Sequence, residues 1–230
     1  MRLDHTFTPV STGASNPASA AENYPDYNRV ASFSVFVVDD DKSVRQSLES
    51  LLKSVGYAVS SYATVQAFLK AYTSDQMGCL ILDVRLPGVS GLDFHERLSS
   101  YGIRLPVILM TGHGDIPMTV RGMKAGAVDF LSKPFREQEI LDAVAGALRL
   151  SHERQQIDLD RQHVQQRANT LTHREREVML KVVSGKMNKQ IAFELGLSEI
   201  TVKIHRGNAM KKMGAKSLPD LVRFSEKLHP

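Results

Sequence analysis

Cysteine and long apolar runs are nearly absent from this sequence. Its 230 residues contain a single cysteine, Cys79, which excludes an intramolecular disulfide and makes a reducing cytosol the expected compartment. No apolar stretch approaches the roughly 20 residues that a membrane-spanning helix needs, so we expect no membrane association. Residues 1–30 have neither the basic start nor the apolar segment of a secretory signal. We expect residues 1–32, which are rich in Ser, Ala, Asn and Pro, to form a disordered tail.

Most of the chain also lacks an excess of either positive or negative charge. The composition, 42% hydrophobic and 23% charged, is that of a globular protein of one or two domains. Residues 31–150 hold 12 Lys and Arg against 13 Asp and Glu, whereas residues 151–230 hold 15 against 9. A basic segment that follows a neutral one predicts a polyanionic partner, such as nucleic acid, for the C-terminal part alone.

The sequence from residue 33 to residue 150 alternates short apolar runs with amphipathic stretches. The runs are too apolar to have a solvated face, which is typical of parallel strands covered by helices on both sides. We therefore predict an α/β doubly wound fold with a five-stranded parallel sheet. The predicted strands are 35–38, 57–62, 79–82, 106–110 and 127–131, and the predicted helices are 44–55, 65–71, 91–98, 118–125 and 140–150.

Polar side chains follow four of these strands. Asp39 and Asp40 come after the first strand, Asp83 after the third, Thr111 after the fourth and Lys133 after the fifth. A single aspartate after a strand is most simply a cap for the next turn, but in an open α/β sheet these strand ends share one edge, where ligands bind. Clustered carboxylates would repel one another without a cation, and Mg²⁺ prefers oxygen ligands. The set predicts a phosphoryl-transfer site with Asp83 as nucleophile, a metal held by the acidic pair, and Lys133 and Thr111 on the phosphoryl oxygens.

The C-terminal third predicts an all-α four-helix domain. Residues 151–168 contain no glycine or proline and too few apolar residues for a sustained heptad, so we expect a helical linker that dimerises weakly at most. Thr172 and Glu175 form a capping-box pattern that starts a new domain at 169–230. A short helix, a turn at Gly196 and a longer basic helix follow, which is the plan of a helix-turn-helix. The donors of this region include Lys189, Thr201, Lys203, His205, Arg206 and Lys211.

Residues 33–150 resemble a response-regulator receiver domain. The acidic pair Asp39-Asp40, Asp83, Thr111 and Lys133 before Pro134 correspond to that family's motifs. The resemblance implies that Asp83 accepts a phosphoryl group from a sensor histidine kinase. It also implies that Mg²⁺ is held by Asp39, Asp40, Asp83 and the backbone carbonyl of Arg85, and that Thr111 and Phe130 act as the switch residues.

Residues 169–230 resemble the LuxR-type DNA-binding domain, on the segments 171–178, 188–192 and 201–206. The two resemblances together imply a response regulator of the FixJ/NarL class that forms a homodimer on phosphorylation, binds double-stranded DNA, contacts RNA polymerase and activates transcription. They imply no dedicated enzymatic activity beyond slow autodephosphorylation. Base-reading positions of the family fall on Lys203, Ile204 and Gly207, and the expected DNA contacts are Lys189, Thr201, Lys203, Ile204, His205, Arg206 and Lys211.

Two other classes of protein share parts of this pattern. A haloacid-dehalogenase-like phosphatase also uses an aspartyl phosphate, a lysine and Mg²⁺, but it requires an acid two residues after the nucleophile, where this chain has Arg85. An adaptor or RNA-binding regulator could use the same fold without phosphorylation, although the complete set of five polar residues argues against it. Turnover of phosphate esters would identify the first class, and an unchanged mass with acetyl phosphate would identify the second.

Overall fold

The computed structural model describes residues 33–74, 76–112 and 116–228. The predicted disordered tail at 1–32 therefore lies outside the described residues. The chain divides into two compact units, with the division between Arg149 and Leu150. Among the helices of the described segments, none combines the length and the apolarity needed to cross a bilayer.

The N-terminal unit is built on a five-stranded parallel sheet. Its strands are β1 (Phe33–Val38), β2 (Ala58–Tyr62), β3 (Met77–Asp83), β6 (Val107–Thr111) and β7 (Asp129–Ser132), in the order β2-β1-β3-β6-β7. Successive residues of β3 enter two separate cores, with Leu80 and Leu82 on one face and Cys79 and Ile81 on the other. Burial on both faces explains why these strands are continuous apolar runs. The predicted α/β doubly wound sheet is confirmed.

Helices cover both faces of this sheet. They are α1 (Lys42–Ser54), α2 (Val65–Ala71), α3 (Gly91–Glu96), α4 (Ile116–Lys124) and the start of α5, which begins at Glu137. Helix α3 is shorter than predicted, because the chain passes into a 3₁₀ turn at Leu98–Tyr101. A two-stranded hairpin, β4 (Arg85–Leu86) with β5 (Val89–Ser90), separates β3 from α3 and was not predicted. Two-residue strands are too short to show periodicity.

Helix α5 runs without interruption from Glu137 to Asn169. The predicted end of the fifth helix at Leu150 is therefore wrong, because the segment 151–168, predicted as a helical linker, continues the same helix. The physical reason is visible in the sequence, since no glycine or proline occurs between Ser151 and Asn169 to end the helix.

The C-terminal unit packs four further helices on the end of α5. These are α6 (His173–Val183), α7 (Asn188–Leu195), α8 (Glu199–Met213) and α9 (Leu218–Leu228). Their shared core includes Val178, Met179, Ile191, Val202 and Leu221. The predicted helical domain with a helix-turn-helix is confirmed, and Gly196, whose φ of 64° is left-handed, caps the C-terminus of α7.

Candidate functional site

The acidic residues of the N-terminal unit meet at the carboxyl ends of neighbouring strands. Asp39 directly follows β1 and Asp83 ends β3, which pairs with β1 in parallel. One carboxylate oxygen from each of Asp39, Asp40 and Asp83 lies within 4.8 Å of the others. Asp39 is fully buried and Asp83 is 6% exposed, whereas Asp40 is open to solvent. The cluster is thus half enclosed, with one acidic group at its mouth.

Lys133 provides the cation of this cluster. It follows β7, and its Nζ donates to Oδ2 of Asp39 at 2.5 Å and to Oδ2 of Asp83 at 2.7 Å. Its backbone N–H donates to the carbonyl of Thr111 at 2.7 Å, which ties the lysine to the end of β6. One ammonium group therefore bridges two carboxylates from different strands.

Burial and ion pairing act in opposite directions on these groups. Burial raises the pKa of Asp39, and the hydrogen bond from Lys133 offsets this only in part. Burial alone would lower the pKa of Lys133, but its hydrogen bonds to Asp39 and Asp83 outweigh that effect and raise it. Lys133 is consequently held as a cation against the carboxylates.

The donor set fits a hard divalent cation. Three carboxylates offer oxygen ligands, which Mg²⁺ prefers, and three acidic groups carry more negative charge than one lysine can balance. The carboxylate oxygens that do not bind Lys133 are oriented by backbone N–H groups. Oδ1 of Asp39 accepts from the N–H of Asp41 at 2.9 Å, and Oδ1 of Asp83 accepts from the N–H of Arg85 at 3.0 Å. A groove of about 510 Å³ opens beside Asp40 and is lined in part by Arg85 and Met118.

Two further residues support the backbone of the site. Arg45 of α1 donates from Nη1 to the carbonyl of Asp39 at 2.7 Å and to that of Asp40 at 3.0 Å. Gly91 allows the start of α3 to approach the loop, because a Cβ there would lie 1.9 Å from the carbonyl oxygen of Asp83. Sequence reasoning missed both residues, since neither type carries a signal of this role on a helix. Asp41, in contrast, does not join the cluster's carboxylates and is the N-cap of α1, accepting from the N–H of Ser43 and of Val44.

The predicted switch residues lie on the strands next to the cluster. Thr111 ends β6 and is fully buried. It stands one residue beyond Met110, the register partner of Asp83. Phe130 of β7 is half-buried and packs against the core on the α4 side of the sheet, where a Cβ on Gly122 would lie 3.4 Å from its ring. The structure thus brings all four strand ends to one edge.

The predicted DNA contacts lie on α7 and α8. Lys189, Lys203, Ile204 and Lys211 are exposed, whereas Thr201, His205 and Arg206 are half-buried. Two of these polar side chains, those of Thr201 and Arg206, already make bonds within the unit. The hydroxyl of Thr201 is 2.8 Å from that of Ser198, and Nη1 of Arg206 donates to Asn188 at 3.3 Å.

Two family models match the chain. Residues 35–145 match the response regulator receiver domain, and residues 169–225 match the bacterial regulatory proteins of the luxR family. Similar proteins include Nodulation protein W of Bradyrhizobium diazoefficiens, which is 54% identical over 84% of this chain and 86% of that protein. They also include the transcriptional regulatory protein FixJ of Azorhizobium caulinodans, which is 46% identical over 84% of this chain and 92% of that protein.

Solved structures give the same result. The response regulator StyR is 48% identical, with a TM-score of 0.74, over 84% of this chain and 98% of that one. Full-length FixJ from B. japonicum is 38% identical, with a TM-score of 0.52, over 85% of this chain and 96% of that one. With both family models matched and a relative above 50% identity along most of its length, the chain belongs to the two-component response regulators, transcription regulators that join a receiver domain to a LuxR-type DNA-binding domain.

Proposed function

We propose that Asp83 accepts a phosphoryl group from a partner histidine kinase and that this modification controls dimerisation and DNA binding. The observation that carries the proposal is the bridge formed by Lys133, whose Nζ is bonded to both Asp39 and Asp83. Such a cation beside a carboxylate nucleophile neutralises the equatorial oxygens of a phosphoryl group in transfer.

Each residue of the cluster has a separate role in phosphoryl transfer. A carboxylate oxygen of Asp83 attacks phosphorus, the bond from phosphorus to the imidazole nitrogen of the kinase breaks, and the imidazole leaves with the electron pair. Lys133 and Thr111 then bind the phosphoryl oxygens. Asp39, Asp40, Asp83 and the carbonyl of Arg85 would hold Mg²⁺, which when bound neutralises charge on the transferring group.

A surface on α4 supports dimerisation as the response. Ile116, Val120 and Met123 recur at helical spacing and are 80%, 45% and 46% exposed. A new dianion at Asp83 would draw in Thr111 and change the packing of Phe130, which lies under α4 beside Gly122. A two-fold dimer formed through this face and through α5 would match two operator half-sites. Contact with RNA polymerase and activation of transcription complete the proposal.

Acetyl phosphate with Mg²⁺ tests the phosphorylation step on the full chain. We expect the wild-type protein to gain one phosphoryl group by intact mass, to shift from monomer to dimer in sedimentation, and to bind DNA more tightly. Withholding Mg²⁺ should abolish all three changes.

Two variants make this experiment specific. Asp83→Asn should show none of the changes, whereas Glu49→Gln, which removes a carboxylate on α1, outside the cluster and outside the proposed dimer surface on α4 and α5, should behave as wild type. A phosphoryl group gained by Asp83→Asn would place the acceptor elsewhere. Phosphorylation without a change in oligomeric state would contradict the dimerisation step alone.

A further inference from the structure

Helix α8 turns one continuous stripe of side chains away from its own domain. Val202, Ala209 and Met213 are buried against the other helices. The opposite stripe, at spacings of three and four residues, consists of the exposed residues Ile200, Lys203, Ile204, Gly207, Asn208 and Lys211. This stripe is the part of α8 that can meet a ligand in a groove.

Several polar groups of α8 are used inside the domain. Lys212 donates to Glu175 at 2.6 Å and to the carbonyl of Thr170 at 3.1 Å, and Arg206 donates to Asn188. The Thr201 hydroxyl is engaged with that of Ser198, the N-cap of the helix. At the N-terminal end of the stripe, Lys203 is therefore the one long cationic side chain that faces outward.

Ile200 and Ile204 lie on either side of Lys203 on this stripe. They are 73% and 57% exposed and four residues apart, so their side chains are neighbours on one helix face. Neither is needed for the core, which is filled from the opposite face of the helix. This pair presents adjacent apolar surface whose removal from water by a ligand would be favourable.

The position of the two isoleucines on α8 indicates which ligand they contact. In a helix-turn-helix, the N-terminal residues of the second helix contact base edges in the major groove. The only apolar group that a base pair presents there is the C5 methyl of thymine. Lys203 and Lys211 on the same stripe bring positive charge toward the phosphates, which favours DNA over an apolar protein partner.

We propose that Ile200 and Ile204 form an apolar reading pair that contacts thymine methyl groups, so that each operator half-site carries thymine at the positions facing this pair. The inference rests on the DNA-binding role of the domain and assigns it a base preference. It also adds Ile200, which the family resemblance did not identify, to the residues that specify the sequence. Gly207 allows α8 to lie closer to the floor of the major groove, because it has no side chain to hold the helix away from the DNA.

Removal of single methyl groups from DNA tests the proposal. The full-length protein, treated with acetyl phosphate and Mg²⁺, would first select duplexes from a random-sequence pool. The enriched duplex is then resynthesised with deoxyuridine in place of one thymidine at a time, which deletes only the C5 methyl. We expect one or two positions in each half-site at which this change weakens binding by roughly 3- to 10-fold, as the loss of one buried methyl group implies.

Binding of the same duplexes to variants of the protein shows whether the two isoleucines cause the effect of methyl removal. In Ile200→Ala/Ile204→Ala the deoxyuridine effect should shrink to less than about twofold, since the methyl group has lost its partner. Ile200→Val/Ile204→Val should keep most of it. Leu180→Ala, which shortens another exposed apolar side chain, on α6, should leave it unchanged, and circular dichroism would establish that each variant is folded.

Each remaining outcome counts against a separate step. If no thymine position responds, or if the response is equally large in Ile200→Ala/Ile204→Ala, the reading pair is wrong while DNA binding stands. If the pool yields no enriched duplex, sequence-specific DNA binding itself fails, and the inference fails with it.

Discussion

At the scale of single residues, His95 is a buried titratable group outside the cluster of Asp39, Asp83 and Lys133. It lies on α3, is 7% exposed, and neither of its ring nitrogens has a hydrogen-bond partner among the described residues. Burial lowers the pKa of His95, and the negative charge of Glu96 offsets this only in part. Arg121 of α4, which bridges Asp93 and Glu96, adds a further positive charge at this helix pair. An imidazolium would therefore be poorly stabilised here.

We expect the N-terminal unit to lose stability as pH falls below about 6.5, the ordinary pKa of histidine. With its pKa lowered in the folded state, His95 is neutral in both states above that value, and below it the unfolded chain binds the extra proton. The difference costs up to about 1.4 kcal/mol per pH unit. Denaturant unfolding between pH 7.5 and 5.5 should show a shallower dependence in His95→Leu than in wild type. Equal slopes would mean that His95 does not carry the effect.

At the scale of elements, the start of α6 shows how a local pattern specifies a boundary. The Oγ1 of Thr172 accepts from the N–H of Glu175 at 3.3 Å, and Oε2 of Glu175 accepts from the N–H of Thr172 at 2.8 Å. The same Glu175 oxygen accepts from Lys212 of α8. The capping box is thereby tied to α8, so the loss of the cap weakens the contact between two helices as well as the first turn of α6.

Thr172→Ala should lower the free energy of unfolding of the C-terminal unit by about 1 kcal/mol, because one N-terminal N–H loses its acceptor. Thr172→Ser, which keeps the hydroxyl, should restore most of it. All 6 tyrosines precede residue 150, so tyrosine fluorescence reports the N-terminal unit while circular dichroism reports both. The change should appear in circular dichroism alone. A shift in the fluorescence transition would contradict this assignment to the C-terminal unit.

Elements and site were predictable from the sequence where the signal is local. The bounds of α2 match the prediction, because Thr64 caps the start of this helix. The meeting of Asp39, Asp83 and Lys133 followed from topology, since parallel strands end at one edge of a sheet. Contacts made across the fold were not predictable. The sequence analysis did not single out Ile200, and only the packing of α8 shows that this residue faces outward.

At the scale of the whole molecule, charge separates the two functions. Residues 31–150 are close to neutral, with 12 basic against 13 acidic residues, whereas residues 151–230 carry six more basic than acidic groups. The receiver domain holds the acidic cluster of Asp39, Asp40 and Asp83, and the excess of basic residues lies in the part of the chain that contains the DNA-binding domain. Binding to DNA should therefore respond to bulk salt through the C-terminal residues, since released counterions set the salt dependence.

We expect DNA affinity to fall steeply and linearly on a plot of log affinity against log salt concentration. Lys211→Met should reduce the slope by about one, because Lys211 lies on the exposed stripe of α8 and its ammonium is free to neutralise a phosphate. Lys227→Met removes the same charge from α9, where the lysine already pairs with Asp160 at 3.2 Å, and should leave the slope unchanged. Titration of both variants at several salt concentrations separates a phosphate contact from net charge. Equal slopes in the two variants would show that overall charge, rather than the stripe on α8, determines the salt dependence.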